Sequence, residues 1–88
     1  MRSIGMDVYR DFCEIAIAEG GFVRSAGRVA TQPAALRLLA RSLVDSDVVA
    51  IEATSNAVAI ARLLEPHVRR VVLVNPKAVR ENTRRAKT

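Results

Sequence analysis

The chain has 88 residues, half of them hydrophobic but only 3% aromatic and none Trp, which limits it to one small domain with an aliphatic core. That composition suits a sheet covered by helices better than a peptide-binding groove. The formal net charge is +5, favouring a polyanionic partner, nucleic acid first. A single cysteine, Cys13, and a single histidine, His67, exclude an intrachain disulfide and a Cys/His zinc site, and fit a reducing cytosol. No stretch approaches the ~20 apolar residues of a membrane helix, and the N-terminus carries no signal-peptide pattern. The expectation is therefore a cytoplasmic protein with no membrane contact.

Residues 3–9 alternate, with Ile4, Met6 and Val8 on one face and Gly5, Asp7 and Tyr9 on the other, which predicts a first strand. A second strand runs Phe12–Ala18 with Cys13, Ile15 and Ile17 on one face. Gly20-Gly21 is a two-residue hairpin signal leading to a third strand, Phe22–Val29. Thr31 offers a helix N-cap and Pro33 tolerates a first turn. Leu36, Leu39, Ala40 and Leu43 form the apolar stripe of the helix that follows, with Arg37 and Arg41 outside. It ends around Asp45-Ser46-Asp47.

Val48–Ile51 is continuously apolar and reads as a strand buried on both faces, as in parallel pairing, with Glu52 at its C-terminal end. Ser55 can cap a second helix whose stripe is Ala57, Ile60, Ala61 and Leu64, closed by Pro66. Val71–Val74 is a fifth strand. Asn75-Pro76 predicts the start of a third helix. On it Lys77, Arg80, Arg84 and Lys87 share one face, while only Ala78, Val79 and Ala86 offer apolar surface, so it needs something further to pack on. Residues 1–61 hold six Arg and seven acids, and residues 62–88 hold eight Lys/Arg against two acids. The basic character thus belongs to the C-terminal third. The predicted order is β-β-β-α-β-α-β-α, a mixed five-stranded α/β sheet.

Two carboxylates stand out. Asp7 in mid-strand is disfavoured by propensity and costly to bury, and Glu52 ends an otherwise apolar strand. If the first and fourth strands are parallel neighbours, the two acids come together. Paired carboxylates repel unless a cation or proton sits between them. A hard cation such as Mg²⁺ takes oxygen ligands and keeps waters for substrate phosphate. Plainer readings stand beside this one. Asp7 could be a turn residue, and Glu52 could serve the following helix as an N-terminal acid. The Lys77, Arg80, Arg84 and Lys87 face is either a nucleic-acid contact to phosphates or a solvated charge run. Asp11 and Glu14 read as loop and solvent-face residues, Cys13 as core, and His67 as a surface or capping residue.

Ile4-Gly5-Met6-Asp7-Val8, Glu52-Ala53-Thr54, Val74-Asn75-Pro76-Lys77 and Lys87-Thr88, in that order, resemble the N-terminal domain of DEDD-type insertion-sequence transposases. That group includes the Piv-like DNA invertases and bridge-RNA-guided recombinases. The resemblance implies a ribonuclease-H-like (RuvC-like) fold over residues 1–88, incomplete at its C-terminus. It also implies metal-dependent DNA strand cleavage and exchange in transposition. Asp7 and Glu52 correspond to the first two catalytic, metal-binding acids of an Asp-Glu-Asp-Asp set, with Mg²⁺ as cofactor. The implied partners are DNA, in part of the family a guide RNA, and further copies of the full-length protein.

In that family the other two aspartates directly follow a Lys-Thr pair, and a further domain carries a catalytic serine. Here Lys87-Thr88 are the last residues, so the resemblance implies a truncated piece, inactive alone. The chain also departs in having Ser55 where the family has Gly and Tyr9 where it has His or Ser. Two other classes remain: a non-catalytic nucleic-acid-binding or dimerising module, and a fragment of an actin-like ATPase fold. The latter needs Gly two residues after the Asp, where Tyr9 stands.

Overall fold

The computed structural model describes residues 1–52, 54 and 56–75. Its elements are β1 (Ser3–Val8), β2 (Phe12–Glu19), β3 (Phe22–Ala30), α1 (Pro33–Ser42), β4 (Val48–Glu52), α2 (Ala57–Leu64), a 3-10 turn (Glu65–His67) and β5 (Arg70–Val74). The five strands form one mixed sheet ordered β3-β2-β1-β4-β5. β1, β2 and β3 pair antiparallel, while β4 runs parallel to both β1 and β5. The chain is thus α/β, with two helices and a five-stranded mixed sheet among the described residues. The third helix expected from Asn75-Pro76, with Lys77, Arg80, Arg84 and Lys87, lies outside them.

Alternation in the sequence sets which side chains meet. Ile4, Met6 and Val8 of β1 stand opposite Ile17, Ile15 and Cys13 of β2, and Val49 and Ile51 of β4 join them from the other side. α1 adds Leu36 and Ala40 to this face, and α2 adds Ala57, Ile60, Ala61 and Leu64. Fully removing one such aliphatic side chain from water contributes roughly 1.5–3 kcal/mol. The helices pack on each other, α1 reaching β3 and α2 reaching β4 and β5.

The Gly20-Gly21 hairpin is present. Both residues have positive φ, +59° and +82°, the requirement of a type I′ turn, and Glu19 pairs with Phe22 across it. A second glycine departure lies in β3. Two residues lie between Ser25 and Arg28 where one lies between Glu14 and Ala16, and Gly27, at φ +87°, takes up the extra residue as a bulge.

Two sequence expectations are corrected, and a third, the Ser55 cap, falls outside the described residues. Thr31 does not cap α1: Gln32 occupies the N-cap without a side-chain bond, and the Thr31 hydroxyl instead donates to the Tyr9 carbonyl at 2.9 Å. α2 begins after Asn56 at its N-cap, with no side-chain capping bond; Ser55 lies outside the described residues. β4 is buried on one face rather than two. Val49 and Ile51 are fully enclosed, while Val48, Ala50 and Glu52 are half-buried, because both described helices cover the same side of the sheet.

Asp47 is the residue whose role the sequence concealed. It is fully buried, and its carboxylate accepts hydrogen bonds from Arg2 Nε at 3.0 Å, Arg2 Nη2 at 2.7 Å and the Val44 amide at 2.9 Å. The same junction is sewn by backbone bonds from Val48 N to Arg2 O and from Arg69 N to Asp47 O. Arg2 and Asp47 therefore fasten the entries of β1, β4 and β5 together and fix the parallel register that governs the opposite end of those strands.

Candidate acidic site on the sheet face opposite α1 and α2

The register carries through to the C-terminal ends of β1 and β4. Met6 pairs with Ile51, so Asp7 and Glu52 are the next residues of adjacent parallel strands. Both belong to the alternation set that points away from the helices. On the other side of β1, Asp7 pairs directly with Glu14 of β2. One row across the sheet therefore reads Glu14, Asp7, Glu52 and then Val74, the last paired with Glu52. These four residues, with Gly5, Met6, Ile15, Ala16 and Ala50, line a shallow depression of about 350 Å³. Its floor is made of glycine and alanine because small residues occupy this face at Gly5, Ala16 and Ala50, where β1, β2 and β4 run abreast.

Each half of the Asp7–Glu14 pair accepts a side-chain hydrogen bond, and only that to Glu14 comes from a cation. The Tyr9 hydroxyl donates to Asp7 Oδ2 at 2.7 Å. Arg28 Nη2 donates to Glu14 Oε1 at 3.0 Å, across the β2–β3 ladder where the two residues are directly opposed. These contacts are joined through Phe12. Its ring lies 4.8 Å from that of Tyr9, tilted by 32°, and the Arg28 guanidinium sits 4.2 Å from its centroid on a cation–π contact. The hydrogen bond to Asp7, followed by the negative field of Asp7, Glu14 and Glu52, holds the Tyr9 phenol above its ordinary pKa.

Asp7 and Glu52 thus stand together, as the parallel-pairing argument expects. Asp11 is exposed in the β1–β2 turn and His67 in the 3-10 turn, while Cys13 is fully buried in the core. The basic candidates Lys77, Arg80, Arg84 and Lys87 lie outside the described residues. Tyr9 and Glu14 are members of the site that sequence reasoning left out of it. The available signal was parity: Asp7 and Tyr9 share one face of the alternating run 3–9, and Glu14 lies on the face of β2 opposite Cys13 and Ile15.

The donor set consists of carboxylate oxygens, which suits a hard divalent cation. Among the described residues no three His, Cys, Asp or Glu side chains converge closely enough to hold a metal. Asp7 and Glu52 fit the one-or-two-carboxylate contribution that Mg²⁺ accepts, the remaining positions going to water and phosphate oxygens. Among the described residues no helix is long and apolar enough to cross a membrane.

No protein-family model matches the chain, and comparison with curated proteins finds no match.

Proposed function

We propose that the chain is part of a ribonuclease-H-like domain of the DEDD transposase kind, acting on DNA with Mg²⁺ held at Asp7 and Glu52. The observation that carries this reading is the parallel β1–β4 pairing at the centre of the sheet, which brings the carboxylates of Asp7 and Glu52 side by side on the face turned away from α1 and α2. Strand backbones are rigid, so they fix the positions from which the two carboxylates project toward a cation. Bound divalent metal supplies charge stabilisation for the attacking and leaving oxygens of a phosphodiester. Asp7 and Glu52 would orient that metal, and the basic residues Lys77, Arg80, Arg84 and Lys87 would contact the phosphate backbone.

With two acids the site takes up cation weakly, and we propose that the 88-residue chain does not cleave DNA unaided. The same surface speaks against an actin-like phosphate loop. That loop needs glycine where backbone approaches phosphate, and this chain has Tyr9 at that position.

The test is Mn²⁺ titration of the chain followed by NMR. Paramagnetic broadening is expected first at the amides of residues 5–8 and 50–52, and should vanish in Asp7→Asn and Glu52→Gln. Broadening centred elsewhere, or unchanged by both substitutions, refutes the metal assignment. Mg²⁺-dependent cleavage of duplex DNA by the purified chain would refute the claim that it is inactive alone.

A further inference from the structure

We propose that Tyr9 is a positioning residue for Asp7: its hydroxyl fixes the carboxylate over the depression that Asp7 lines with Glu52. The inference rests on the metal reading above and extends it to a residue outside the acid set. It starts from how firmly Tyr9 is itself held. Its amide donates to the Phe12 carbonyl at 2.8 Å, closing the turn, and its carbonyl accepts the Thr31 hydroxyl at 2.9 Å. Thr31 N bonds to Asp11 O at 3.0 Å, so the whole turn is anchored to the end of β3. The ring rests on Phe12, which is itself covered by Arg28. A phenol constrained at backbone and ring has lost most of its rotamer freedom before it meets Asp7.

Stability does not demand the bond. Tyr9 is 45% exposed and Asp7 is half-buried, so water could serve both groups. A hydrogen bond exchanged against water contributes little net stabilisation. What it supplies is direction. Asp7 projects from a sheet face between the long side chains of Glu14 and Glu52, with Gly5 two residues before it on β1, and none of these holds its rotamer by close packing. Partners that orient metal ligands in this way typically change metal affinity by 10–100-fold when removed.

The test uses Tyr9→Phe, which keeps the ring on Phe12 and removes only the hydroxyl. Asp7 χ1 populations are measured by NMR without metal, and Mn²⁺ affinity is measured by EPR on wild type, Tyr9→Phe, Asp7→Asn and the double variant. Tyr9→Phe is expected to average the Asp7 rotamer and weaken Mn²⁺ about tenfold with no change in melting temperature. It should add nothing in the Asp7→Asn background. A Tyr9→Phe chain that keeps one Asp7 rotamer overturns the inference, as does a wild-type affinity retained by that variant. If wild type takes up no Mn²⁺ at Asp7 yet Tyr9→Phe frees its rotamer, the cation reading fails and the positioning role stands.

Discussion

At the scale of single residues, Asp47 shows how little an isolated carboxylate reveals in sequence. In the chain it ends a polar turn, Asp45-Ser46-Asp47, indistinguishable from its neighbours. Its partner Arg2 lies 45 positions away, and only folding brings the pair together. Removing one member of a buried pair strands the other, so Asp47→Ala should cost about 2–4 kcal/mol, moderated by the partial exposure of Arg2. Denaturant unfolding measures this, and a loss under about 0.5 kcal/mol would contradict the keystone role. The Arg2 hydrogen bonds, helped by the Val44 amide against the cost of burial, hold the Asp47 carboxyl below the usual carboxylate range. A depressed folded pKa means the stabilisation is complete above the unfolded value near about 3.9 and is lost as pH falls through the folded value. Melting temperature should therefore drop below about pH 4 in wild type, and this part of the drop should be absent in Asp47→Asn. Arg2 stays protonated throughout and contributes no slope there.

At the scale of elements, periodicity identified every described strand and both described helices, with ends displaced by a few residues at most. The reason is physical: burial on one face enforces a period of two in strands and 3.6 in helices, and both are visible in a single sequence. The contrast within the helices is testable. Leu64 is fully buried, whereas Leu38 is 65% exposed. Leu64→Ala should cost about 2–5 kcal/mol and Leu38→Ala less than about 0.5, measured by chemical denaturation. Comparable losses would mean that something further covers α1. Gly27→Ala should cost about 1–2 kcal/mol, because its added Cβ meets nothing within 4 Å while φ +87° strains any L side chain. Capping was the weak point of the reading. Thr31 has the right type and position for an N-cap, but its hydroxyl finds the Tyr9 carbonyl instead, a competitor brought in by the β1–β2 turn.

At the scale of the whole molecule, the sheet is covered on one side by α1 and α2, and the acidic row lies on the other. On the proposed DNA reading, the net charge of +5, concentrated in residues 62–88, predicts duplex binding that weakens steeply with salt. Neutralising Lys77, Arg80, Arg84 and Lys87 together should weaken binding for all sequences alike and flatten the salt slope by about 3–4. Fluorescence anisotropy over a salt series checks this, and an unchanged slope would remove these residues from the interface. By itself the sequence determined the described strands and helices, the buried faces of β1, β2, α1 and α2, and the side of β1 from which Asp7 projects, because each of these faces follows from local periodicity of apolar and polar residues, whereas the continuous apolar run of β4 left its buried face to the tertiary structure. Only the tertiary structure decided that Arg2 and Asp47 lock the strand entries and that Glu14 joins the row beside Asp7. It also decided that the Tyr9 hydroxyl reaches the Asp7 carboxylate. Those outcomes depend on strand register and on contacts between residues distant in the chain, and no local pattern encodes either.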